Sequence, residues 1–111
     1  MKFEETRTGN ILVLTVKASR VAADVVAGFK QGLADYVAKG NQKIVLDLSE
    51  VSFIDSSALG ALISVLKLVG SSGELVLCSA QHTVASMFKL TRMNKVFRIF
   101  DNREDAISGL S

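Results

Sequence analysis

The chain has 111 residues, 49% of them hydrophobic and 22% charged, with a net charge of +2 and no proline. That is enough for one domain, residues 1–111, around one core; it excludes wholesale disorder and leaves no proline-stiffened linker. The mean hydropathy of +0.35 reflects many Val, Leu and Ala residues, as in elements buried on more than one side.

Residues 2–8 read as an edge strand, broken at Gly9-Asn10, a hairpin turn signal. Ile11–Val16 is a continuous apolar run and reads as a second strand. Ala18–Ala23 is a connection of small residues. Asp24–Lys39 follows helical spacing, with Val25, Val26, Phe29, Leu33, Tyr36 and Val37 on one stripe. Gly28 and Gly32 lower its propensity and permit close packing. Gly40-Asn41 ends it.

Lys43–Leu48 reads as a central strand buried on both faces. A helix follows from Ser56 or Ser57 to Val69 and stops at Gly70-Ser-Ser-Gly73; apolar residues almost encircle it. Glu74–Cys78 is a further strand, Thr83–Leu90 a short helix and Val96–Phe100 the last strand. Asp101–Leu110 is a closing helix that opens with a capping-box-like Asp101-x-x-Glu104. The order β-β-α-β-α-β-α-β-α predicts an α/β fold, with an antiparallel hairpin at one edge of a mainly parallel sheet. No repeat or low-complexity tract is present.

Most catalytic constellations are missing. His82, the single histidine, reads as a loop residue. With Cys78 the single cysteine, no zinc site assembles. There is no G-x-S-x-G elbow, Walker A loop or G-x-G-x-x-G turn. Asp47, Glu50 and Asp55 lie close in sequence, and capping and solvation explain them better than acid–base work. Lys89, Arg92, Lys95 and Arg98 precede the next acid, Asp101. They read as a solvated helix edge, so direct nucleic-acid binding is not expected. Ala58–Val69, the longest apolar stretch, is interrupted by Gly60, Ser64 and Lys67. It falls short of the ~18–20 residues of a bilayer span, so membrane insertion is not expected either. The first residues carry two acids and no apolar region, unlike a signal peptide, and a lone reduced cysteine fits the cytoplasm.

Asp55-Ser56-Ser57 stands apart. A helix N-terminus offers unpaired N–H groups and a partial positive charge, so a hydroxyl there can be phosphorylated at modest electrostatic cost. From spacing alone, a plain N-cap role for Asp55 or Ser56 is the stronger reading.

Val45-Leu-Asp-Leu-Ser-Glu-Val-Ser-Phe-Ile-Asp-Ser-Ser-Ala-Leu-Gly-Ala-Leu-Ile63 closely resembles the signature of STAS domains, and most of all that of bacterial anti-sigma factor antagonists. The resemblance extends through Glu74–Ser79, Met87–Phe100 and Glu104–Ile107. It implies a single STAS-like domain: about five strands in a mixed, mostly parallel sheet, with about four helices packed mainly on one side. It implies a binding module rather than an enzyme, with no cofactor and no metal. In the family, the unphosphorylated protein binds an anti-sigma factor that is also a serine kinase, and so frees the sigma factor. Phosphorylation dissociates the pair and a serine phosphatase restores it. Carried over by position, Ser56 is the phosphoacceptor. Asp55 holds the turn, and Ser57, Ala58, Leu59 and Gly60 form the adjoining binding surface. Ser19, Arg20 and Asp24 join them from the loop that lies beside the phosphosite in the family. The chain departs from the family pattern at Ser19 and Ala22, where a Gly and an Asp are usual. It also departs at Ala58, where a Gly is common, and at Arg92-Met93, where Gly-Leu is frequent. An alternative within the resemblance is a STAS subunit that is never phosphorylated and serves as a structural partner in a transport or lipid-trafficking complex. An enzyme using Asp55 and Ser56 is the poorest fit, since no base or oxyanion partner is evident.

Overall fold

Gly9, at φ +61°, turns the chain between β1 (Phe3–Thr8) and β2 (Ile11–Val16), which pair antiparallel from Phe3↔Val16 to Thr8↔Ile11. From β2 the sheet grows by parallel additions. β4 (Lys43–Asp47) lies against β2, β6 (Glu74–Cys78) against β4, and β7 (Ile99–Phe100) against β6. The computed structural model describes residues 1–111. Its main sheet runs β1-β2-β4-β6-β7, a mixed and mostly parallel five-stranded sheet, as the sequence predicts. Two connections carry the two-residue strands β3 (Arg20–Val21) and β5 (Phe53–Ile54), which pair with each other in a separate small ribbon.

Four helices complete the domain: α1 (Val26–Ala38), α2 (Ser56–Val69), α3 (His82–Leu90) and α4 (Arg103–Leu110). β2 and β4 are apolar on both faces because both faces are covered. On one face Leu12, Leu14, Ile44, Leu46 and Leu77 meet Phe29 and Leu33 of α1, Leu62 and Val65 of α2, and Phe88 of α3 in the larger core. On the other face Ile11, Val13, Val45, Val76 and Cys78 meet Ala106 and Leu110 of α4. Gly32 permits the close packing expected of it: a Cβ there would lie 2.6 Å from the Phe3 ring. Cys78 is fully buried, and that burial raises its thiol pKa.

Several boundaries differ from the sequence reading, each for a local reason. α1 begins at Val26, and Asp24 stands in the preceding turn, where the Val25 amide bonds to the Ala22 carbonyl. His82 is the first residue of α3 rather than a loop residue. α4 is capped by Asn102, whose side chain accepts from the Asp105 amide at 2.8 Å, one residue later than the Asp101 cap expected. The last strand shortens to Ile99–Phe100 because Met93–Lys95 forms a 3-10 turn and Phe97 packs edge-on against Phe88. Arg92 enters that turn in the left-handed region, at φ 62°, a conformation natural to glycine and costly for other residues.

Asp47 is not the solvated carboxylate that sequence suggested. It is 5% exposed, accepts from the Ser49 amide at 2.8 Å and pairs with Arg103 of α4 at 2.9 Å. Arg103 also donates to the Thr15 hydroxyl at 2.8 Å, so one guanidinium pins α4 to the ends of β2 and β4. Burial pushes the Asp47 pKa up, but the hydrogen bonds from Ser49 and Arg103 outweigh it and leave the pKa below the ordinary carboxylate value.

Candidate functional site

The parallel strands deliver their C-terminal ends, and the N-termini of the following helices, to one end of the sheet. There the β3–β5 ribbon joins two segments far apart in sequence. The Ser19 carbonyl accepts from the Ser52 amide at 2.7 Å and from the Ser52 hydroxyl at 2.9 Å. The pairs Arg20↔Phe53 and Val21↔Ile54 follow, and the chain after Ile54 arrives at α2 with Asp55 as its N-cap.

Asp55 uses both carboxylate oxygens. Oδ1 accepts from the Ala58 amide at 3.1 Å and from the Ser57 hydroxyl at 2.6 Å. Oδ2 accepts from the Ala23 amide at 3.0 Å, tying the loop before α1 to the start of α2. The Ser57 hydrogen bond is the largest influence on its pKa, and with the backbone amides it holds the carboxyl below its ordinary value despite some desolvation.

The two serines therefore differ. The Ser57 hydroxyl is committed to Asp55 and half-buried. Ser56 is exposed at the first position of α2, and its hydroxyl has no partner within the chain. Of the residues expected around it, Ser19 contributes its carbonyl to the ribbon. Arg20 and Asp24 are exposed and joined by a two-oxygen ion pair at 3.0 Å. Ala22 is buried, and its carbonyl accepts from the Val25 amide at 2.9 Å in the turn before α1.

Ala58 and Leu59 depart from the expected surface role. They are 1% and 5% exposed and point into the core, because the α2 face they occupy is the one packed on the sheet. Gly60 is exposed, and a Cβ built there would meet nothing within 4 Å. Nothing inside the domain requires glycine at this helical position, where it costs about 1 kcal/mol relative to alanine.

Two contributors escaped the sequence reading. Phe53 is 50% exposed beside the ribbon, while its neighbour Ile54 is buried. Its signal is the out–in alternation of a two-residue strand, too short to identify without its partner. Ala23 takes part through its amide alone, which no side chain announces. The Thr83 hydroxyl donates to the Ser52 carbonyl at 2.8 Å, bracing the same turn from α3.

Comparison with known proteins agrees with this architecture. The STAS domain family model matches residues 2–106. A Thermotoga maritima protein described as a candidate anti-sigma factor antagonist is 36% identical over 81 residues, covering 71% of this chain and 72% of that one. The anti-sigma F factor antagonist of Paenibacillus polymyxa is 31% identical over 70 residues, or 62% of this chain and 60% of its own. The crystal structure of a candidate anti-sigma factor antagonist from Thermotoga maritima superposes with a TM-score of 0.87 at 28% identity, covering 97% of this chain and 93% of that one. With its family model matched over nearly the whole length, the chain belongs to the STAS domain family.

Proposed function

We propose that this protein is an anti-sigma factor antagonist that works as a phosphorylation-controlled partner switch. Unphosphorylated, it binds an anti-sigma factor that is also a serine kinase, through the surface formed by Ser56, Ser57, Gly60 and the Ser19–Asp24 loop. The relatives' names support the antagonist role. The observation that carries the choice of switch residue is the division between the two serines. Ser57 is locked to Asp55, and Ser56 offers a free, exposed hydroxyl.

In the switching reaction the kinase transfers the γ-phosphoryl group of ATP to Ser56 Oγ. The hydroxyl proton leaves to a base on the kinase, and ADP departs. A serine phosphatase reverses the change with water, returning the hydroxyl and inorganic phosphate. The start of α2 offsets only part of the new dianion's charge. The Ala58 amide already serves the Asp55 side chain, and the Leu59 amide bonds to the Asp55 carbonyl. The phosphate, with roughly −1.5 to −2 charges, therefore projects toward the partner beside an ionised Asp55. A thousandfold loss of affinity needs about 4 kcal/mol. Burying a misplaced dianion at an interface supplies that without refolding either protein.

The test is binding to the anti-sigma factor kinase of the same host. Ser56→Ala retains binding and Ser56→Asp loses it. Equal binding by the two variants contradicts the switch.

A further inference from the structure

The end of the domain opposite Ser56 has its own character. Each helix runs back from the Ser56 end, so the helices finish where the parallel strands begin. Cations collect there from unrelated elements: Arg7 near the β1–β2 turn, Lys39 after α1 and Lys43 at the start of β4. Lys67 and Lys89 occupy the last turns of α2 and α3, and Arg92, Lys95 and Arg98 follow. Against them stand Glu74, already paired with Arg98 at 3.7 Å, and Asp35, one turn above Lys39. None of Arg7, Lys67, Lys89, Arg92 or Lys95 pairs with a carboxylate of the chain.

Helix dipoles account for Lys67 and Lys89, since cations in a last turn complement the partial negative charge there. They do not account for Arg7 and Lys43, which are strand residues, or for Arg92 and Lys95. Arg92 holds a left-handed position where glycine is the unstrained residue, so this cation is carried at a conformational cost.

The same end exposes aliphatic side chains. Leu90, the last residue of α3, is 83% exposed; Leu68 near the end of α2 and Val96 after the 3-10 turn are about half exposed. Each directly follows a lysine in sequence: Lys67, Lys89 and Lys95. No aromatic side chain is among the exposed large residues at this end, since Phe53 lies at the Ser56 end and Phe88 and Phe97 are buried. Stacking on single-stranded nucleic acid therefore has no platform. Aliphatic tips set among unpaired cations, spread over a whole end of the molecule, have the composition of a bilayer-interface surface.

We propose that this end docks on an anionic phospholipid surface. Leu90 and Val96 enter the headgroup layer, and Lys89, Arg92 and Lys95 lie against lipid phosphates. A domain docked this way presents Ser56, at its far end, to partners in solution.

Co-sedimentation of the full chain with phosphatidylcholine vesicles, with and without about one-third phosphatidylglycerol, tests this. Binding is expected only to the anionic vesicles and is expected to fall away with added salt. At about fivefold per cation, Lys89→Gln/Arg92→Gln/Lys95→Gln weakens it roughly a hundredfold. Leu90→Gln, at a side chain too exposed to affect folding, weakens it several-fold. Lys2→Gln/Lys30→Gln, which removes cations away from this end, leaves it unchanged. Failure of the unmodified protein to sediment with anionic vesicles at low salt overturns the proposal. Equal weakening by the triple variant and the Lys2/Lys30 control also overturns it, by reducing the effect to net charge.

Discussion

Asp55 Oδ2 accepts a hydrogen bond from the Ala23 amide at 3.0 Å, across 32 residues of sequence. Its other oxygen caps α2 at Ala58 and holds the Ser57 hydroxyl. One carboxylate thus fixes both the helix that presents Ser56 and the loop beside it.

Asp55→Asn is consequently more damaging than an ordinary exchange between two good N-caps. An asparagine has one acceptor oxygen, and its NH₂ cannot accept from the second backbone amide. The variant is expected to keep α2 capped and to release the Ser19–Asp24 loop. Hydrogen exchange at Ala23 reads this directly, with faster exchange there and little change at Ala58. Unchanged protection at Ala23 contradicts the assigned role.

Gly60→Ala separates folding from recognition. A methyl group at this position meets nothing in the domain, so the substitution is expected to stabilise the isolated protein by about 0.5–1 kcal/mol. The same methyl group projects beside Ser56 and weakens partner binding. Urea denaturation and a binding titration on one preparation check both signs. A variant that is more stable and binds equally well removes Gly60 from the interface.

The Asp47–Arg103 pair gives the domain a pH-dependent anchor for α4. The Asp47 pKa is lowered on folding, so its contribution is present above the ordinary carboxylate pKa and is lost as pH falls through the lower folded value. Asp47→Asn is expected to cost about 1–3 kcal/mol at neutral pH. The gap between variant and parent should narrow as pH falls below about 4. Urea denaturation at neutral and acid pH checks this, and a gap independent of pH contradicts it.

The order of the main elements was legible because long apolar runs and helical periodicity each report local burial. Ile11–Val16 announced a strand, and Lys43–Leu48 announced one covered on two faces. What covers the second face, α4, rests on a pairing of Asp47 with Arg103 across 56 residues, which no local pattern encodes. The β3–β5 ribbon escaped for the same reason: two-residue strands acquire meaning only when paired. At the site, spacing placed Ser56 and Ser57 together at a helix start; the family resemblance singled out Ser56, and the geometry supplies the physical difference between them. Ala58 and Leu59 read as neighbours of the phosphosite, but helical rotation turns them inward. The Gly-Leu usual in the family at Arg92-Met93 has a physical reason in the left-handed backbone at Arg92, visible only in the structure.

Peptide mass spectrometry of the protein from its native host, across several growth conditions, tests the central claim most directly. The account predicts a phosphate on Ser56 whose occupancy changes with condition, and none on Ser57. Phosphate on Ser57 instead, or none on Ser56 in any condition, contradicts it.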